Sequence, residues 1–279
     1  MNIKKNTQND CNLSIDSNIQ INIDSAESDA FLKIDYLYVV QRFDVFTASS
    51  QCENQNFYFI YSMDNFNTDI EQKKSKPYFK ANAETECYER ISLPSSCRSF
   101  NMEVKQNLSS TNQKLLFTVQ RNYRYTCLCL NRPDVQVIGS SGKKIGYVRS
   151  PLFSIQKTVE IFDANNNLLF NIKGIWNQLQ TYCYLPYDFC KTISFDIHNK
   201  FNKKIAEIKK IGHKKGCCYE CMLNVESEYA VQFPKLSSYE EKALILSGVF
   251  FLDYSFYEER YSDMCCLCIQ RCCCSQCIE

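Results

Sequence analysis

The chain closes with MCCLCIQRCCCSQCIE, Met264 to Glu279, and seven of these residues carry thiols: Cys265, Cys266, Cys268, Cys272, Cys273, Cys274 and Cys277. Three chemistries compete for such a run. Disulfides need Cα atoms about 4.4–6.8 Å apart with matched side-chain directions, and Cys272, Cys273 and Cys274 pair poorly among themselves. A zinc site takes four ligands, usually as two short C-x₂₋₄-C pairs. Cys274-x-x-Cys277 and Cys268-x-x-x-Cys272 fit that frame only with thiols left over and no histidine near, although thiolates suit soft metals. Acylation asks only for exposed thiols close to a lipid surface. Leu267, Ile269 and Ile278 between the thiols are apolar, while Arg271 and Gln276 can stay wet. Each buried methylene contributes about 0.8 kcal/mol and two chains give stable anchoring, so S-palmitoylation is the expected fate of this tail.

A second group follows His213-Lys214-Lys215-Gly216: Cys217-Cys218-Tyr219-Glu220-Cys221. Cys218-x-x-Cys221 is half of a zinc frame, and Cys183 and Cys190 would have to supply the other half. Burial as small apolar side chains is the commoner fate of such cysteines. The chain holds 18 cysteines in 279 residues, but its start, MNIKKNTQND, has no apolar run of a secretory leader, and Asn2 stands where a myristoylation signal needs Gly. A reducing compartment is expected, with thiols free, metal-bound or acylated.

Other chemistry has little material. There is no G-x-S-x-G, P-loop or H-E-x-x-H pattern, and the two histidines are His198, on the polar face of a predicted strand, and His213. Trp176 is expected to pack rather than react. Lys+Arg is 32 against 31 for Asp+Glu, so no global field steers the chain to a polyanion, and a nucleic-acid partner is not expected. The lysine pairs Lys203-Lys204, Lys209-Lys210 and Lys214-Lys215 have two readings. They are a solvated strand edge that discourages aggregation, or they meet anionic headgroups at about 1 kcal/mol per basic residue near a membrane surface.

The elements that must position these groups are mostly strands. Aromatic residues reach 14% while glycine and proline number 7 and 6, which favours pleated, half-buried surfaces. Residues 1–30 are rich in Asn, Ser and Asp and are expected to be a disordered polar arm. From Asp35 onward short aromatic and β-branched runs recur. In DVQVIGSSGKKIGYV, Val135 and Val137 oppose Asp134 and Gln136, Ser140-Ser141-Gly142 turns, and Ile145 to Val148 return. TVEIFDANNNLLFNIKG repeats the hairpin, with Val159 and Ile161 before an Asn165-Asn166-Asn167 turn and Leu168, Phe170 and Ile172 after it. TISFDIH alternates through Ile193, Phe195 and Ile197. IAEIKKI is read as a strand although Ile205, Ile208 and Ile211 step by three. About a dozen short strands imply an all-β sandwich or barrel.

One helix is expected, over 239–257. Ser238 and Glu241 form an S-x-x-E capping box ahead of it. Ala243 to Tyr257 is apolar on nearly every side, so protein or lipid must surround it. A membrane span needs about 20 apolar residues, and this run is shorter and carries Asp253. A core helix wrapped by the strands is therefore expected.

Several of these stretches, taken in order, resemble the phospholipid scramblase family. Tyr229-Ala230-Val231-Gln232-Phe233-Pro234 leading into the apolar helix, and Leu252-Asp253 through Phe256-Tyr257-Glu258, are similar to its C-terminal signature. Ile145-Gly146-Tyr147-Val148, Phe153-Ser154-Ile155, Leu169-Phe170-Asn171-Ile172-Lys173-Gly174 and Pro77-Tyr78-Phe79-Lys80-Ala81 with Glu84 and Cys87 match further steps. The likeness covers about 31–259, with 260–279 left as a Cys-rich tail. It implies a mainly β, tubby-like fold: a twelve-stranded closed barrel around one central C-terminal hydrophobic helix. It also implies a protein that is not an enzyme in the covalent sense. Such a protein moves phospholipids between leaflets in both directions without ATP, and palmitoylated cysteines hold it at the cytosolic face, expected to be that of the plasma membrane. The family's mid-chain cysteine cluster is thinned here to Cys127 and Cys129. The family's calcium segment lies around Gln232-Phe233-Pro234. Positions acidic in the family hold Val225, Ser227, Leu236 and Ser238, which leaves Glu226 and Glu228 as the expected ligands of a weak Ca²⁺ site. A membrane-anchored headgroup-binding or scaffold protein without transport, and a thiol-rich metal-binding protein, remain as alternatives.

Overall fold

The computed structural model describes residues 31–43, 56–66, 76–86, 88–89, 98–107, 112–122, 134–151, 157–175, 192–211 and 227–257. Twelve strands form a closed barrel: β1 (Tyr36–Phe43), β2 (Asn56–Met63), β3 (Phe79–Glu84), β4 (Phe100–Asn107), β5 (Gln113–Arg121), β6 (Asp134–Gly139), β7 (Lys144–Arg149), β8 (Thr158–Asp163), β9 (Leu168–Gly174), β10 (Thr192–Asn199), β11 (Lys204–Ile211) and β12 (Glu228–Gln232). Each strand pairs antiparallel with its sequence neighbours, and β12 closes on β1 through Leu37 opposite Val231 and Val39 opposite Tyr229. Closure leaves no strand with an unpaired edge.

Alternation builds the strands and aims them. In β4, Phe100, Met102 and Val104 are buried while Asn101, Glu103 and Lys105 are half-buried. Val135, Val137, Val159, Ile161, Phe195 and Ile197 are likewise completely shielded on the inner face. A membrane-spanning barrel shows the opposite pattern, apolar outside and polar within. The tight turns follow local chemistry. Gly142 takes φ 78°, a left-handed conformation a side chain resists, and its N–H donates to the Gly139 carbonyl. Asn166 takes φ 66°, and the Asp163 carboxylate accepts from the Asn165 and Asn167 amides and from the Asn167 side chain, which holds its pKa low.

The segment IAEIKKI is a strand, β11, but its register differs from the spacing of its isoleucines. Ala206, Ile208 and Lys210 face inward, and Ile205 and Ile211 are only half-buried. The sequence masks this because one of three inward positions is a lysine.

Among the described residues one long helix, α1 (Tyr239–Phe256), lies inside the barrel. Its capping box is complete: the Glu241 amide donates to Ser238 Oγ at 3.2 Å and the Ser238 amide to Glu241 Oε2 at 2.9 Å. Residues from Lys242 to Tyr254 are all buried, which is the condition an all-round apolar helix demands. At 1.5 Å per residue it is about 27 Å long, close to the reach of an eight-residue strand. Tyr239 meets Leu116 near the start of β5, Leu244 covers Gly146 of β7, Gly248 lies against Ile161 and Ile172, and Tyr254 stacks on Phe100 at the start of β4. The helix thus threads the barrel from one pole to the other. The proximal pole is where α1 begins, with the turns β2–β3, β4–β5, β6–β7, β8–β9 and β10–β11. The β12–α1 link lies there too; the distal pole is where α1 ends, with the connections β1–β2, β3–β4, β5–β6, β7–β8, β9–β10 and β11–β12.

Candidate functional site

Two polar devices hold α1 in its sleeve. Near its C-terminal end Asp253 is 2% exposed, and its carboxyl accepts from Tyr58 Oη and Tyr229 Oη, each at 2.7 Å. Both tyrosines stand on inward positions of β2 and β12, so a buried carboxyl that hydrocarbon could not tolerate is satisfied by the barrel wall. Near the other end Lys242 is also 2% exposed. Its ammonium donates to the Leu32 and Ile34 carbonyls, each at 2.6 Å, and lies 4.0 Å from Asp35. Burial lowers its pKa, and Asp35 opposes that shift. These bonds fasten residues 31–35 over the proximal pole, where Phe31 packs edge-on against Phe79, Phe233 and Tyr239. Tyr239 Oη donates to the Leu116 carbonyl at 2.8 Å, and burial, aided by Glu240, pushes its phenol up to about 12.

At the proximal pole a cavity of about 540 Å³ opens beside the start of α1, with Leu116 and Leu244 in its walls and Lys114, Lys143, Lys144 and Glu240 around it. Its charges are of both signs.

The lysines expected to meet headgroups fall into different settings. Lys203 is exposed. Lys204 is 2.6 Å from Asp196 and 3.3 Å from Glu207, and the Asp196 bond raises its pKa, so its charge is largely matched within the barrel. Lys209 lies over the Phe66 ring at 4.3 Å. Lys210 departs from the expectation of a headgroup contact. It is 7% exposed, donates to Ser227 Oγ at 2.8 Å, and sits over the rings of Tyr229 and Tyr257 at 4.8 and 4.5 Å. Together with Lys157, 4.0 Å from the Tyr257 ring, it brings positive charge to the C-terminal end of α1, whose own last turn has no basic residue. His198 lies half-buried on the outward face of β10.

Glu228 is on the outer face of β12, opposite Val40 and Ile211. Calcium takes six to eight oxygens, and these neighbours supply none from side chains. Among the described residues no group of three or more His, Cys, Asp or Glu could hold a metal ion. The described surroundings of Glu228 therefore do not fit a calcium site, and Glu226 lies outside the described residues. So do all the cysteines considered above, Cys127 and Cys129, Cys183 and Cys190, Cys218 and Cys221, and Cys265 to Cys277, together with Trp176 and the 1–30 arm.

Sequence reading alone did not single out Tyr58, Tyr229 or Lys242 as partners. Tyr58 and Tyr229 lie in apolar runs where no alternation marks the inner face, and their common partner Asp253 is distant from Tyr58 in the chain. Lys242, a cation in the first turn of the helix, where the macrodipole disfavours positive charge, carried a signal in its position.

A closed twelve-stranded antiparallel barrel filled by an apolar helix defines the class of protein. The Scramblase family model matches residues 16–259, most of the chain, and the protein belongs to that family. The match begins within the stretch read as a polar arm and ends just after α1. No solved structure matches the chain. Family membership brings a scramblase-type function, contact with membrane phospholipids and membrane association. Among the described residues no helix is long and apolar enough to cross a membrane.

Proposed function

We propose that this protein moves phospholipids between membrane leaflets in both directions without ATP. In this reading it is held at the cytosolic face of the plasma membrane by acyl chains on Cys265, Cys266, Cys268, Cys272, Cys273, Cys274 and Cys277, with Cys127 and Cys129 as further acylation sites. The observation that carries the mode of attachment is the burial of α1. The longest apolar stretch of the chain is enclosed by strands and clasped through Asp253, so it is withheld from lipid. Attachment then falls to the thiols of the tail that follows it, where two acyl chains suffice. Lipid movement itself rests on membership of the Scramblase family.

The test is leaflet exchange of a fluorescent phospholipid in liposomes carrying the full chain purified from a eukaryotic host, with and without Ca²⁺. Exchange several-fold above protein-free vesicles supports the proposal. Acylated, vesicle-bound protein that leaves exchange at background under both conditions refutes it. A second reading, a membrane-anchored headgroup-binding or scaffold protein, is favoured by the filled interior: α1 occupies the space through which a lipid would otherwise pass. The same refuting result would support that reading. Stoichiometric zinc in protein purified under reducing conditions would favour the thiol-rich metal-binding alternative.

A further inference from the structure

The proximal pole carries the two most exposed large apolar side chains among the described residues, Leu236 at full exposure and Phe201 at 78%. A lone exposed apolar residue is ordinary on a protein surface. These two differ because the backbone is built to present them. Phe201 stands on the turn between β10 and β11. Asn199 Oδ1 accepts from the Phe201 and Lys203 amides, each at 3.0 Å, the Asn202 amide donates to the Asn199 carbonyl at 2.9 Å, and Asn202 takes φ 59°. The turn is therefore stiff, and the ring at its tip lies outside the core with the Lys200 ammonium 5.2 Å from its centre.

Leu236 stands in the link between β12 and α1. It holds φ 61°, a left-handed conformation that a branched side chain resists and glycine takes freely. The bend is fixed from the next residue, whose hydroxyl and amide (Ser237) both donate to the Pro234 carbonyl. A leucine here strains the fold, and a fully exposed side chain makes no contact that offsets the strain.

The surroundings are basic. Lys200 and Lys203 flank Phe201, Lys235 precedes Leu236, and the β6–β7 turn at the same pole adds Lys143, all of them exposed. The carboxylates nearby are largely engaged: Asp163 holds the β8–β9 turn, Glu241 the cap of α1, and Asp196 and Glu207 face Lys204. The exposed acids of this pole among the described residues are Asp35, Asp64 and Glu240, and Asp35 already faces Lys242.

We infer that the proximal pole is a bilayer-contact surface, in which Phe201 and Leu236 enter the headgroup region of an anionic leaflet and the lysines around them meet lipid phosphates. The inference rests on the membrane-associated reading above and adds to it the surface that makes the contact. Apolar side chains set among lysines suit the interface of an anionic bilayer. A protein partner would favour the reverse, since lysine is depleted at the centre of protein–protein interfaces. Acyl chains on the tail do not dictate the other pole. The chain from Tyr257 to Glu279, at up to about 3.4 Å per residue, outreaches a barrel about 27 Å long.

The experiment uses the full chain treated with hydroxylamine to remove acyl groups, so that binding reads the folded surface alone. Co-sedimentation with phosphatidylcholine/phosphatidylserine vesicles at about 0.1 M salt gives a partition coefficient. Phe201→Ser should lower it about tenfold, and Leu236→Gly by a similar factor. Lys200→Gln and Lys203→Gln should each lower it about fivefold, and vesicles of phosphatidylcholine alone should bind weakest. Ile175→Ser, at an exposed apolar residue of the distal pole, should leave binding unchanged. Leu236→Gly separates contact from folding: it relieves strain, so its melting temperature should rise while vesicle binding falls. The surface is overturned if the parent chain ignores phosphatidylserine vesicles, if Ile175→Ser loses as much as Phe201→Ser, or if Phe201→Ser and Leu236→Gly bind like the parent. A dimer in sedimentation velocity that Phe201→Ser abolishes, without vesicle binding, would assign the pole to a second copy of the chain instead. Leaflet exchange by the acylated chain is read separately. Proximal-pole binding without exchange removes the proposed transport and leaves this surface standing, whereas exchange with unaltered binding of both variants does the reverse.

Discussion

Tyr58 on β2 donates its hydroxyl hydrogen to Oδ2 of Asp253 on α1 at 2.7 Å, across 195 positions of chain. Tyr229 donates to Oδ1 at the same distance. Replacing one phenol, Tyr58→Phe or Tyr229→Phe, should cost about 1–3 kcal/mol, the worth of one hydrogen bond to a buried acid. Asp253→Ala strands both hydroxyls in the core and opens a cavity, and should cost about 3–5 kcal/mol. Denaturant titration of the three variants measures this, and an Asp253→Ala chain within 1 kcal/mol of the parent would show that the clasp contributes little.

Gly146 and Gly248 both lie where α1 meets the wall, yet they should respond unequally to alanine. A Cβ at Gly146 would stand 2.1 Å from the Phe162 carbonyl oxygen, a backbone atom of the paired strand that cannot yield without breaking the ladder. At Gly248 the nearest atom is the tip of Ile172 at 2.9 Å, a methyl group that can turn aside. Gly146→Ala should lose about 3 kcal/mol. Gly248→Ala gains roughly 1 kcal/mol of helix propensity against a similar packing cost and should be near neutral. Thermal melts of the pair would expose the error if they shifted together.

Alkaline stability should show two opposite contributions. The folded pKa of Lys242 is lowered, so below the unfolded value of 10.5 the unfolded chain holds more proton and stability rises with pH. The folded pKa of Tyr239 is raised from 10.0 to about 12, so its contribution is complete below pH 10 and is lost as pH climbs towards 12. After allowance for partial solvent contact the Tyr239 effect is no more than about 2 kcal/mol. Tyr239→Phe should flatten the loss above pH 10, and Lys242→Met the gain below 10.5. Denaturation midpoints from pH 8 to 12 read both slopes, and parallel curves for parent and variants would contradict the assignment.

The approach to α1 contains one feature that helps and one that strains. Ser238→Ala removes the cap and should destabilise by about 1 kcal/mol. Leu236 is fully exposed and holds φ 61°, a conformation costly to a branched side chain. Leu236→Gly should therefore stabilise by about 0.5–1 kcal/mol. A fall in stability for Leu236→Gly would mean that the leucine makes a contact worth more than its strain.

Much of the barrel was legible residue by residue. The alternation of Val135 with Val137, of Val159 with Ile161, and of Ile193 through Ile197 marked strands and their inner faces. Ser238 and Glu241 marked the start of α1. At β11 the reading of a strand held, but the three-residue step of Ile205, Ile208 and Ile211 left its inner face unmarked, and the structure turns Ala206, Ile208 and Lys210 inward. Lys210 is tolerated inside because Ser227 and two aromatic rings receive its ammonium, and such partners lie beyond a local window. Asp253 read as an interruption of an apolar run, since nothing near it in the chain announces Tyr58.

By itself the sequence determined the strands, the sleeved helix and its cap, because alternation, turn residues and capping act between neighbours. Only the tertiary structure decided that Asp253 and Lys242 are satisfied rather than exposed, and that Lys210 turns inward. Those outcomes depend on how twelve strands close around one helix. Closure sets residues from opposite ends of the chain within hydrogen-bonding distance, which no periodicity along the chain encodes.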